Sequence, residues 1–187
     1  MNPIVHGELS WLVAQGLSRR RDRILVTVAG VLPDLDGLAL LGGTDFYGRY
    51  HHTLTHGWLA ALVLAAGCAA LASDSPLRRG REEGRAWLGV FTLSLVTFHL
   101  HLLCDLAGSG PGWPLMYLAP FDRTESYWSG QWDLASWQNG VIGVTTSILC
   151  LATAFRWKRT VVEVFSLRAD REVVRALWLR FRRREPA

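Results

Sequence analysis

The sequence predicts an all-helical membrane bundle of about three to four apolar helices, preceded by a short helix and followed by an amphipathic one. Three observations predict it. Half of the 187 residues are apolar and only 19% are charged, with a mean hydropathy of +0.16; an ordinary soluble domain carries about a quarter charged residues. The apolar residues come in blocks. The basic residues fall in alternate connections between those blocks.

In chain order, residues 3–17 read as a short helix with Pro3 at its start and His6 near its beginning. These 15 residues are too few for an ordinary spanning helix, so an interfacial or core helix is expected. Four arginines follow between residues 19 and 23. Ile24 to Gly43 is apolar except for Pro-Asp-Leu-Asp at 33–36, where Pro33 removes a backbone donor and kinks or ends the helix. A polar loop is expected over 42–56. Apolar runs follow at 57–73, 86–108 and 139–155, separated by a charged loop at 74–85 and a Trp-, Tyr- and Gly-rich loop at 108–138. The last stretch, from Arg156, is basic, with apolar residues at roughly helical spacing. The expected division is a membrane-embedded unit over 1–157 and a basic amphipathic tail over 158–187. Cys68, Cys104 and Cys150 each lie in an apolar run without metal-binding spacing, which gives neither a disulfide framework nor a zinc finger. The N-terminus lacks the basic region and apolar core of a signal peptide.

The charge distribution orients the bundle. Placing residues 19–23, 74–85 and 156–187 on one side puts 18 of the 20 Lys and Arg residues there, leaving only Arg49 and Arg123 on the other. The positive-inside rule makes the first side cytoplasmic. A soluble bundle whose buried helices are apolar all round is the alternative.

Chemistry concentrates toward the opposite face. His101 and Asp105 stand four apart in an apolar run, one turn apart on one helical face, so imidazole and carboxylate can grip one cation. A structural hydrogen bond or a proton relay is the other reading of such a pair. His99 lies about 200° around the helix from His101 and cannot share its site. Asp34 and Asp36 are costly in lipid unless paired, hydrated or metal-bound; alternatively, Pro-Asp starts a turn or caps a helix. His51, His52 and His56 crowd into six residues with Thr53 and Thr55, either as metal ligands with orienting threonines or as an interfacial loop. Such nitrogen and oxygen donors suit zinc, with manganese or iron as alternatives.

The order His6, Pro-Asp-Leu-Asp, His-His-Thr-Leu-Thr-His, His101-x-x-x-Asp105 and Gly-Pro-Gly-Trp-Pro resembles a family of small bacterial membrane-bound proteins described as predicted metal-dependent hydrolases. The resemblance covers roughly residues 1–125 and is remotely similar to the helical zinc phospholipase C and P1 nuclease group. It implies His6, Asp34, His51 or His56, His101 and Asp105 as metal ligands, and a multi-pass protein of the bacterial inner membrane. His52 stands where that family has Arg, and the later motifs that complete the phospholipase cluster are missing, which points to one or two metals.

The expected activity is hydrolysis of a phosphoester or lipid-like substrate by metal-activated water at the non-cytoplasmic face. Asp36 is expected as general base or orienter and His51 as ligand or acid, with Trp113, Tyr117, Trp128, Trp132 and Trp137 forming a headgroup-level rim. The rivals are a non-enzymatic membrane protein with a structural metal or polar cluster, and a proton or ion transport component. Membrane lipid is the expected partner, and anionic lipid suits the basic tail; nucleic acid is the weaker reading. Oligomeric state is left open.

Overall fold

Pro3 opens the first helix, α1 (Pro3–Val13), where a missing amide costs nothing. The Asn2 side chain caps it by accepting from the Ile4 amide at 2.8 Å. The computed structural model describes residues 1–72 and 81–181. After a 3₁₀ turn at Ala14–Gly16 comes α2 (Arg20–Ala29), which stops short of Pro33; the chain continues as a 3₁₀ segment, Leu32–Gly42, bent by 49° from α2. Then follow α3 (Thr44–Tyr50), a 3₁₀ turn at Leu54–His56, α4 (Trp58–Ala72), α5 (Arg81–Gly108), a long loop, α6 (Trp137–Trp157), a 3₁₀ turn at Val161–Val164 and α7 (Leu167–Phe181).

This is the all-helical class expected, with no strand among the described residues. Two helices are long and apolar enough to cross a membrane, over Ala86–Gly108 and Trp137–Trp157; the bent pair supplies a third span if counted as one, and α4 is a shorter apolar helix. Two local expectations change. The segment 42–56 is not all loop, because α3 forms inside it with Gly43 at φ 100° before its first turn and Asp45 in that turn, complementing the helix dipole. The charged loop expected over 74–85 lies partly outside the described residues, and its end from Arg81 is already helix.

α5 is the centre of the bundle, packed by α4, α2 and α1. α4 buries Ala61, Ala65, Cys68, Ala69 and Ala72. This small-residue stripe recurs every three or four positions, so its backbone comes close to its neighbours. α6 turns Val141, Val144, Ile148 and Leu149 outward, each about half exposed or more, as a lipid-facing helix does. The segment after α6 is tied back to the body. Glu163 is buried and accepts from Arg23 Nε at 2.6 Å, Arg23 Nη2 at 2.7 Å and Trp11 Nε1 at 3.0 Å. α7 docks on α6 through Trp178, whose Nε1 donates to the Ala154 carbonyl at 2.9 Å. Residues 182–187 of the expected tail lie outside the described residues.

Candidate metal centre

At one end of the bundle, four elements turn histidine and aspartate inward. α1 supplies His6, the bent 3₁₀ segment Asp34, the turn before α4 His56, and α5 His101 and Asp105. Donor atoms of His6, Asp34, His101 and Asp105 all lie within 4.8 Å of one another, and so do those of His52, His56 and Asp105. Asp105 belongs to both groups. Its Oδ1 lies 3.2 Å from His6 Nε2; its Oδ2 lies 2.9 Å from His101 Nε2 and 3.6 Å from His56 Nε2. Oδ1 also receives the Met1 amino group and, at 3.0 Å, the Ser109 hydroxyl. His6, His56, His101 and Asp105 are all at least 99% buried.

The tautomers follow from the neighbours. His101 Nδ1 lies 2.9 Å from the Gly30 carbonyl, which can only accept, so that nitrogen carries the proton. His56 Nδ1 faces an Asp36 carboxylate oxygen at 3.0 Å and is a donor for the same reason. When neutral, both rings therefore present bare Nε2 lone pairs, and these face each other at 3.2 Å beside the Asp105 carboxylate. Acceptors packed this closely need a proton or a cation between them. His56 shows the demand. Burial alone would lower its pKa, but hydrogen bonds and charges from Asp105 and Asp36 outweigh this and raise it to about 9. His52 goes the other way: burial pushes it down to about 3, leaving a neutral donor, and burial also lowers His6. Asp34 Oδ2, Asp105 Oδ2, His6 Nδ1 and His52 Nδ1 are buried without a hydrogen-bond partner. A divalent cation fits this donor set of imidazole nitrogens and carboxylate oxygens.

Asp36 holds the outer layer. Its Oδ1 accepts from His51 Nδ1 at 2.7 Å, and its Oδ2 takes the His52 amide at 2.9 Å, the Thr55 hydroxyl at 2.7 Å and His56. Gathering the loop this tightly forces His52 into the left-handed region at φ 61°, a strain that persists only where the surroundings enforce it. His51 therefore stands one layer out, stacked on Tyr47 with ring centroids 4.4 Å apart and edge-on to Trp113. A cleft of about 270 Å³ reaches the centre, lined by Asp34, Tyr47, His51, His52, Asp105 and Trp113 among others.

Of the residues expected from the sequence, His6, Asp34, His56, His101 and Asp105 are thus brought together, while Asp36 and His51 stand beside them. His6 meets Asp105 across 99 positions of sequence, a contact that no spacing rule reveals. His52 entered only through the triple-histidine cluster and not through the ligand set that the resemblance implies, although its Nε2 lies 3.9 Å from Asp105 Oδ2. His99 is directed elsewhere, with Nδ1 at the Leu95 carbonyl and Nε2 at the Tyr117 hydroxyl. In the aromatic loop, Trp113 lines the cleft, Trp132 bonds Asn139 at 2.9 Å and Trp128 is exposed, while Trp137 is the exposed first residue of α6.

No curated protein and no solved structure matches the chain. The family model described as YdjM inner membrane protein matches residues 1–173, a span that holds every apolar helix and every residue of the centre. A buried polar centre inside an apolar bundle is what an inner-membrane protein can enclose, and the chain belongs to the YdjM inner membrane protein family.

Proposed function

We propose that this protein is a membrane-embedded metal-dependent hydrolase acting on phosphoesters from the non-cytoplasmic face. The observation that carries the reading is the pair of Nε2 atoms, His56 and His101, converging at 3.2 Å beside the shared Asp105 carboxylate. His6, Asp34, His101 and Asp105 would hold one divalent ion, with zinc the first choice, and His52, His56 and Asp105 a second. Such ions lower the pKa of bound water to about 7 and neutralise charge developing on a phosphoryl group.

The chain's own residues supply the rest. The Gly30 carbonyl and Asp36 fix the His101 and His56 rings with Nε2 inward. Both oxygens of Asp36 are already engaged, so Asp36 orients and His51 is the proton carrier. With Nδ1 on Asp36, His51 lines the cleft and can give a proton to a leaving group or take one from water. Tyr47, whose pKa is raised by burial and then by the nearby carboxylates, stays a neutral hydroxyl donor on the cleft wall.

Elemental analysis of detergent-purified protein tests this. Wild type retains divalent metal and His101→Ala loses it; Asp105→Asn loses both metal and phosphodiester hydrolysis. His51→Ala keeps the metal and loses about 10²–10⁴ in rate, the range of general acid–base catalysis. Wild-type protein purified without chelator that carries no metal would overturn the proposal.

A further inference from the structure

An apolar groove adjoins the cleft over the candidate metal centre at Pro3. Pro3 lines the cleft and also a second cavity of about 490 Å³ that follows the seam between α1 and α2 as far as the 3₁₀ turn Val161–Val164. Ile4, Val28, Val31, Val161 and Phe165 form its walls. Two polar residues touch it, and both turn their polar atoms away. The Glu8 carboxylate accepts from Thr146 at 2.7 Å and Ser147 at 2.8 Å on α6, and the Thr27 hydroxyl donates to the Arg23 carbonyl at 2.8 Å. The cavity is within the ~300–1,000 Å³ of ordinary small-molecule sites. It is also open sideways: Ile4 is 69%, Val28 38% and Phe165 85% exposed.

The two cavities meet at Pro3, and the pair has a polarity. Its head is a buried cluster of histidine and carboxylate suited to a cation and hence to an oxyanion. Its tail is a lateral, wholly apolar slot running toward the arginine-rich end. In an inner-membrane protein the amphiphile with that polarity is a phospholipid. We infer that the α1–α2 groove seats one acyl chain of a glycerophospholipid whose phosphate end reaches the metal centre. This rests on the metal-centre reading above and names its substrate class. The occupant enters from the bilayer past Ile4, Val28 and Phe165. α6, whose outward face carries the exposed Val141, Val144 and Ile148, is the comparison surface for annular lipid.

The test uses the full chain in nanodiscs containing a phosphatidylcholine with a diazirine midway along one acyl chain, followed by irradiation and mass-spectrometric mapping. Label is expected to concentrate on residues around Ile4, Val28 and Phe165 relative to the α6 face. Val28→Trp, which fills the slot, cuts the groove label about tenfold, the effect of 1.4 kcal/mol of lost binding, and leaves the α6 label unchanged. Should Val28→Trp fail to fold, Val161→Trp closes the slot from the other wall. Labelling that simply follows exposure and ignores both substitutions would mean annular lipid only and overturn the proposal. Hydrolysis is not the readout, so the two readings fail separately. Groove labelling by a wild type that holds no metal removes the centre as the head site, whereas metal retained with label only on α6 removes the groove.

Discussion

Gly30 shows how little room the histidine–aspartate cluster leaves at the scale of single atoms. Its carbonyl orients His101, and a β-carbon placed on it would lie 1.9 Å from the Ser10 hydroxyl, 2.8 Å from Ser10 Cβ and 3.2 Å from Thr97 Cβ. Gly30→Ala must therefore push α2 away from α1 and α5. It is expected to destabilise the protein by about 1–3 kcal/mol, the cost of overpacking, and to weaken metal retention because the His101 ring loses its fixed tautomer. Ser10→Gly in the same chain removes the nearest atoms and restores most of the metal measured by elemental analysis. A Gly30→Ala protein with wild-type metal content would show that the carbonyl is not the anchor. Removing the other orienter, Asp36→Ala, should cost about 10–100-fold in metal affinity, as loss of such outer partners does, measured by competition with a chelator. His101, Asp105 and Asp34 were legible in the sequence because a carboxylate or imidazole in an apolar run needs a partner. Gly30 was not, since an anchoring carbonyl leaves no mark on residue identity. His52 and His51 could not be ranked from spacing, because the left-handed turn at His52 decides which ring faces inward.

Among elements, the bend and the docked turn carry the geometry. Pro33 was readable as a break, and the 49° angle it permits brings Asp34 and Asp36 back over the bundle end. The turn Val161–Val164 was not readable as part of the body. Its only polar signal, Glu163, is an ordinary acidic residue until the fold places Arg23 and Trp11 against it. Burial raises the Glu163 pKa, but the Arg23 and Trp11 hydrogen bonds outweigh it, so the carboxyl is held below its ordinary value of 4.5. The sign of the linkage follows. The pair stabilises the fold at pH above 4.5, and that contribution is lost as pH falls through the lowered folded value. Glu163→Ala strands a buried guanidinium and is expected to cost about 3–5 kcal/mol near neutral pH, whereas Glu172→Ala on the exposed side of α7 changes little. Thermal melts in detergent from neutral to acid pH should show the wild type and Glu163→Ala curves converging as the carboxyl protonates. Curves that stay parallel would show that the pair contributes nothing.

For the whole molecule, one arrangement accounts for the arginine-poor end, the histidine–aspartate cluster and the apolar groove together. The long loop between α5 and α6 holds Trp113 over the cleft, and a tight contact secures it: Trp58 N donates to the Tyr117 carbonyl at 3.0 Å, and any side chain at Gly57 would press on that same carbonyl at 3.1 Å. This loop and residues 42–57 carry only Arg49 and Arg123 of the 20 basic side chains. By the positive-inside rule a segment so poor in cationic charge is expected to cross, and the clusters at 19–23 and after Arg156 are expected to stay inside. Thr124, in the loop and exposed, should therefore face away from the cytoplasm, and Arg175, exposed on α7, should face into it. With Cys68, Cys104 and Cys150 replaced, Thr124→Cys is expected to react with a membrane-impermeant maleimide in intact spheroplasts, and Arg175→Cys only after lysis. The reverse pattern would place the centre on the cytoplasmic side and require the groove's lipid to come from the inner leaflet. Labelling of both in intact spheroplasts would break the alternation of spans on which the orientation depends.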